Sequence, residues 1–163
     1  VLGRELNFDS SLLIELLAYW NAKRGGRLFP SRKDIVPREI EKLLPWLHMF
    51  DVIDLPEGER DELGYANDFR VRLIGTAIAE VAGNLALRDR LISQAKHELF
   101  AVRTWQGLQS VVDTRQPVRM ISDSSAFRGM DYMRSEVCLA PLSSNGADID
   151  IIIGITSLQA RSP

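Results

Sequence analysis

Leu13, Leu16, Leu17 and Trp20 recur at helical spacing behind Asp9, Ser10 and Ser11, residue types that cap helices, and Gly25 and Gly26 follow them. The spacing predicts a helix from about Ser10 to Lys23, closed by glycine, which accepts left-handed backbone at little steric cost. Leu12 and Tyr19 widen the apolar stripe beyond one face, so the helix has a second surface to offer a partner chain. Pro37 suits the first turn of another helix, with Ile40, Leu43 and Leu44 on one side, and Pro45 stops it. Leu47 to Ile53 is rich in β-forming residues and reads as a first strand.

The next segment, 55–67, holds Pro56, Gly58, Gly64 and the acids Glu57, Glu59, Asp61 and Glu62; it reads as a solvated connection, long for a hairpin. Phe69, Val71 and Leu73 then alternate with Arg70 and Arg72, the period of two that marks a strand with one buried face. Gly75 breaks the strand, Thr76 starts a short helix over Ala77 to Ala82, and Gly83 and Asn84 end it. A longer helix is predicted from about Asp89 to Asp113, with Leu91, Ala95, Leu99 and Val102 along one stripe. Val118 to Ser122, Met133 to Leu142 and Ile149 to Leu158 read as three more strands, the last two joined through the turn dipeptide Asn145-Gly146. Two strands, helices, then three strands imply an α+β fold: a five-stranded antiparallel sheet with central helices on one face, preceded by extra N-terminal helices. The natural division is an N-terminal helical extension, 1–44, on a core spanning 45–160, within one compact domain.

That element order resembles a PAS domain, and particular residues sharpen the likeness. Trp20, Arg24-Gly25, Leu28-Phe29-Pro30, Ile35, Leu43-Leu44-Pro45, Asp51-Val52, the run Phe69 to Thr76 and Pro141-Leu142 look like a PAS subfamily common in proteobacterial proteins of unassigned function. The resemblance implies a sheet cupping a small pocket, used for ligand sensing or dimerisation.

Composition narrows the classes further. The chain has 163 residues, 45% of them hydrophobic and 26% charged, with a net charge of −2. This is ordinary for one globular domain and supplies no field for nucleic acid. The basic stretch Lys23, Arg24, Arg27, Arg32 and Lys33 reads as a solvated loop. No apolar run approaches the roughly 20 residues of a membrane helix. Cys138 is the one cysteine, so no internal disulfide forms; with no secretory pattern, cytoplasm is the expected location.

No cofactor is expected. His97, on the predicted long helix, is the position from which haem could be held, yet it is flanked by Lys96 and Glu98 as an exposed helix residue would be. His48 reads as a surface or sheet-edge residue, and Cys138 lacks the motif that carries flavin chemistry in light-sensing relatives. No nucleophile elbow, phosphate loop or metal-binding helix motif is present. The expected function is therefore regulatory and non-catalytic: small-molecule sensing, dimerisation through the N-terminal helix, or both. The expected lining of the pocket is Phe69, Val71, Leu73, Leu99, Val102, Ile151 and Ile153, around a small, mostly apolar ligand. Arg70, Arg72 and Arg134 are candidate anchors for an anion; the alternative places Arg70 and Arg72 outside, paired with Glu136 or Asp150. Two other readings stay open: an interaction module whose cup is filled by its own side chains, and a cone-shaped isomerase- or hydrolase-like enzyme with a polar acid/base pair in its cavity.

Overall fold

The computed structural model describes residues 2–3, 6–61, 63–83 and 86–161; the predicted roles of Glu62 and Asn84 lie outside them. The alternating runs form β2 (Leu47–Asp54), β3 (Asn67–Ile74), β4 (Val118–Ser122), β5 (Met133–Leu142) and β6 (Ile151–Ala160), and a two-residue β1 (Leu2–Gly3) pairs with β4. All pairings are antiparallel, and the strand order across the sheet is β1-β4-β5-β6-β2-β3. The helices are α1 (Ser11–Arg24), α2 (Thr76–Val81) and α3 (Leu99–Thr114), with 3-10 turns at Arg32–Asp34, Pro37–Glu39, Leu44–Trp46 and Ile92–Ala95. The predicted second helix is thus two short 3-10 turns, because Pro37 and Pro45 bracket too few residues for a stable α-helix.

The two sheet faces have different covers. Register places His48, Gly154 and Leu139 side by side on one face, with Phe50, Ile152, Thr156 and Val137. A Cβ on Gly107 of α3 would collide with Met120 and Leu139 side chains, so α3 lies on this inner face. Leu47, Met49, Ile151, Ile153, Ile155, Cys138 and Glu136 alternate onto the outer face. That face carries α1, which contacts β5 and β6 and buries Leu13, Leu16 and Trp20. The indole N–H of Trp20 donates to the Pro141 carbonyl at 2.8 Å. The stripe assigned to the N-terminal extension therefore roofs the sheet, and one continuous core runs from Leu13 to Ile155.

Glu136 fastens the start of α1. It is 3% exposed, accepts the N–H groups of Asp9 (3.0 Å) and Ser10 (2.9 Å), and pairs with Arg119 at 2.6 Å. Cys138 is fully buried on the same face, and burial with the Glu136 charge nearby pushes its thiol up to about 12. It is an inert packing residue.

Gly75, at the end of β3, has an ordinary φ of −68°, so its role is spatial. A Cβ there would overlap the carbonyl oxygens of Leu44 and Pro45, where the 3-10 turn crosses beneath it. The turn from strand to helix thus requires the one residue without a side chain.

Candidate ligand cavity

β2, β3 and β6 form the floor of a cavity of about 40 Å³, and α2, the Ile92–Ala95 turn and the first turns of α3 form its roof. Its apolar walls are Phe50, Val71, Ile74, Ile78, Leu87, Ile92, Phe100 and Phe127, and its polar groups are His48, Thr104 and Thr156. The roof is tied to β3 through Asp68, whose carboxylate accepts the Ser93 hydroxyl at 2.5 Å and the Phe69 N–H at 2.7 Å.

His48 is the chemical centre of this space. It is 5% exposed, and its Nε2 lies 3.0 Å from the Thr156 hydroxyl, two residues along the neighbouring strand from Gly154. Nδ1 has no hydrogen-bond partner among the described residues. A neutral ring holds one N–H; placing it on Nε2, against Thr156, leaves the unpaired nitrogen as a bare acceptor, which costs less than an orphaned N–H. Burial lowers the pKa to about 4, so the ring is neutral at pH 7. Gly154 makes this position possible, because a Cβ there would overlap Cε1 of the ring and stand 2.6 Å from the Leu139 side chain. Gly154→Ala is expected to destabilise the domain by about 1–3 kcal/mol through overpacking. In thermal melts, combining it with His48→Ala should recover part of that loss; strict additivity would show that the ring is not what the new methyl meets.

The cavity is about a tenth of the roughly 300 Å³ at which ligand pockets begin, so it holds small groups unless its walls move. Phe100 and Phe127 form one wall and divide the cavity from the surface. They stack with centroids 5.2 Å apart, and beyond them a surface hollow of about 200 Å³ is lined by the same two rings with Val81, Glu98 and Arg128. Arg128 clasps Glu98 with two hydrogen bonds, at 2.6 and 3.0 Å, across the mouth of that hollow. A larger groove of about 410 Å³ runs between α3 and β4–β5, but it is open to solvent and its Arg103 is already bound to Ser122 and the Ser124 carbonyl.

Of the seven residues expected to line the pocket, Val71 does so. Phe69 is fully buried on the same alternation of β3 but packs beside the cavity. A register shift between Met49 and Phe50 turns Leu73 to the outer face opposite Met49, and Ile151 and Ile153 also alternate outward, toward α1. Leu99 is 53% exposed and Val102 half-buried, because the predicted long helix is broken at 96–98 and the helical phase counted from Leu91 does not carry into α3. Phe100 and Thr104, one turn apart, take the inward positions instead.

The arginines proposed as anion anchors lie elsewhere too. Arg134 pairs with Asp9 at 2.9 Å on the outer face, Arg72 pairs with Asp51 at 2.6 Å, and Arg70 is exposed on the edge strand. The partners once expected for Arg70 and Arg72 are differently employed: Glu136 holds Arg119, and Asp150 accepts the Ser144 N–H. His97 is exposed in the turn between the 3-10 turn and α3 and is not among the residues lining the cavity. His48, expected at a surface or edge, is the buried one. The sequence signal for it was Gly154, a glycine inside an isoleucine run, which marks a close approach on a strand.

Among the described residues, no group of three or more His, Cys, Asp or Glu is arranged to hold a metal, and no helix is long and apolar enough to cross a membrane. A comparison with curated proteins finds no match. The family model described as PAS domain matches residues 8–157, which takes in α1, β2 to β5 and most of β6. With the two strands, central helices and three strands enclosing a cup, this match settles the family: the chain belongs to the PAS domains, a family that is generally sensory or regulatory.

Proposed function

We propose that the domain is a non-catalytic regulatory module that senses a small, mostly apolar molecule with one polar end, taken into the cup between the sheet and the central helices. The observation that carries this reading is the buried His48–Thr156 pair, with an unpartnered imidazole nitrogen, set among apolar cavity walls. A polar side chain without full pairing costs stability in a core, and a ligand polar group beside the pair would recover part of that cost. The stacked Phe100 and Phe127 serve as the gate, swinging apart to join the cavity to the outer hollow. No cofactor is required; haem or flavin would need the cup to expand far beyond its present volume.

An enzyme reading is not supported, because among the described residues His48 is the one titratable group lining the cavity and a pKa of about 4 makes it a weak base at neutral pH. The filled-core reading gains from the small cavity volume, so the decisive test is occupancy. Native mass spectrometry of the purified protein should show a small mass excess that is lost on denaturation. A bare polypeptide mass, for both the native chain and Phe127→Ala with its gate removed, would replace sensing with the interaction-module reading.

A homodimer through the N-terminal helix remains part of the proposal in a narrower form. Ile14, 52% exposed, is the large apolar side chain that α1 turns to solvent, since its main stripe is spent on the sheet. A cytoplasmic location suits the free, buried thiol of Cys138.

A further inference from the structure

We infer a second binding site, separate from the cup, for a monoanionic carboxylate carried on a flat or branched apolar body. It is a surface groove of about 300 Å³ between the C-terminal end of α1 and the junction of α3 with β4. Leu28 and Pro117 give it apolar surface, with the buried Trp20 and Phe29 behind, and Arg24 and Arg115 are its charged residues; no acidic residue lines it among those described. In a chain of net charge −2, a groove to which the described residues bring two guanidinium groups and no acid is a local reversal of sign.

Both guanidinium groups are held in place. Arg24 lies 5.4 Å from the Trp20 ring and Arg115 lies 5.2 Å from the Phe29 ring, each over an aromatic face that is itself buried. Arg24 spends Nε on Asn21 (3.1 Å) and Nη1 on the Arg27 carbonyl (3.2 Å), which leaves Nη2 without a partner among the described residues. Arg115 donates from Nη2 to the Ala147 carbonyl, and its Nε and Nη1 have no partner among the described residues. Neither has a carboxylate partner among the described residues, unlike Arg27, which is paired with Asp34. A planar carboxylate suits such preorganised donors, and Leu28, 65% exposed, offers apolar contact to the body behind it. The last carbonyls of α1 oppose negative charge here, although Arg27 covers those of Lys23 and Arg24. That opposition favours a monoanion over a dianionic phosphate.

The test is titration of the protein with benzoate, acetate and inorganic phosphate, followed by NMR at the Trp20 indole N–H, whose bond to Pro141 fixes it beside the groove. Benzoate should give a saturable shift there, with acetate and phosphate each weaker. Arg24→Lys, which keeps the charge and loses the fork, should weaken benzoate about tenfold or more, as should Arg115→Asn. Asparagine is chosen at 115 because Arg115 has a φ of +57°, which asparagine tolerates. Thermal melts of both variants confirm that they remain folded. The inference is overturned if benzoate leaves Trp20 unmoved, if acetate or phosphate binds as tightly as benzoate, or if folded variants bind it unchanged. Because the readout is at Trp20 and not at the cavity, failure here leaves the sensing proposal standing, and failure of sensing leaves this one standing.

Discussion

Trp20→Ala is expected to destabilise the domain by about 3–5 kcal/mol, the usual cost of deleting a buried aromatic side chain. Trp20 is 4% exposed, donates its indole N–H to the Pro141 carbonyl of β5, and lies in the layer that seals the outer face of the sheet. Its removal leaves a cavity between α1 and the sheet and an orphaned carbonyl at Pro141. Ile14→Ala, on the exposed side of the same helix, should change monomer stability by no more than about 0.5 kcal/mol. Urea unfolding of the two variants measures both. If α1 served chiefly as a dimer contact, the order would reverse, and the Ile14 variant would unfold with a changed dependence on protein concentration.

Acid should unfold the native protein more readily than a His48→Gln variant. The folded pKa of His48 is about 4, below its unfolded value of 6.5, so the unfolded chain binds the extra proton first as pH falls. The stability associated with keeping the ring neutral is fully present above pH 6.5 and is lost between pH 6.5 and 4. At about 1.4 kcal/mol per unit, the loss over that window is about 3 kcal/mol. Glutamine can still bond Thr156 but does not titrate, so its stability profile over the same window should be flatter by that amount. Parallel profiles for the two proteins would mean that His48 charges freely in the folded state and is not held as described.

The sheet was legible because its information is local. Phe69, Val71 and Leu73 alternate with arginines, and Asn145-Gly146 stands between two apolar runs; the strands lie within two residues of where those patterns put them. The helical middle was legible in kind but not in phase. Leu91 to Val112 reads as one apolar stripe, and nothing local announces the break at 96–98 that resets it. The choice of sheet face was not legible at all, since alternation says which residues share a face and leaves open which cover each face receives. Here α1 took the face bearing Ile151 and Ile153, and the helical middle took the face bearing His48 and Thr156. The register shift beside Met49 then separated Leu73 from Val71, two residues that simple alternation keeps together. Gly75 marked the end of β3 in the sequence, and its neighbours, the Leu44 and Pro45 carbonyls, give the spatial reason.

The central claim is that the cup around His48 admits a small ligand. Its most direct test is methyl NMR of the protein titrated with benzyl alcohol, an apolar ring carrying one hydroxyl. Saturable shifts confined to the methyl groups of Val71, Ile74, Ile78, Leu87 and Ile92, and strengthened in exchange rate by Phe127→Ala, are the predicted result. Shifts that do not saturate, or that fall on the α3–β4 groove while these five residues stay still, would contradict it.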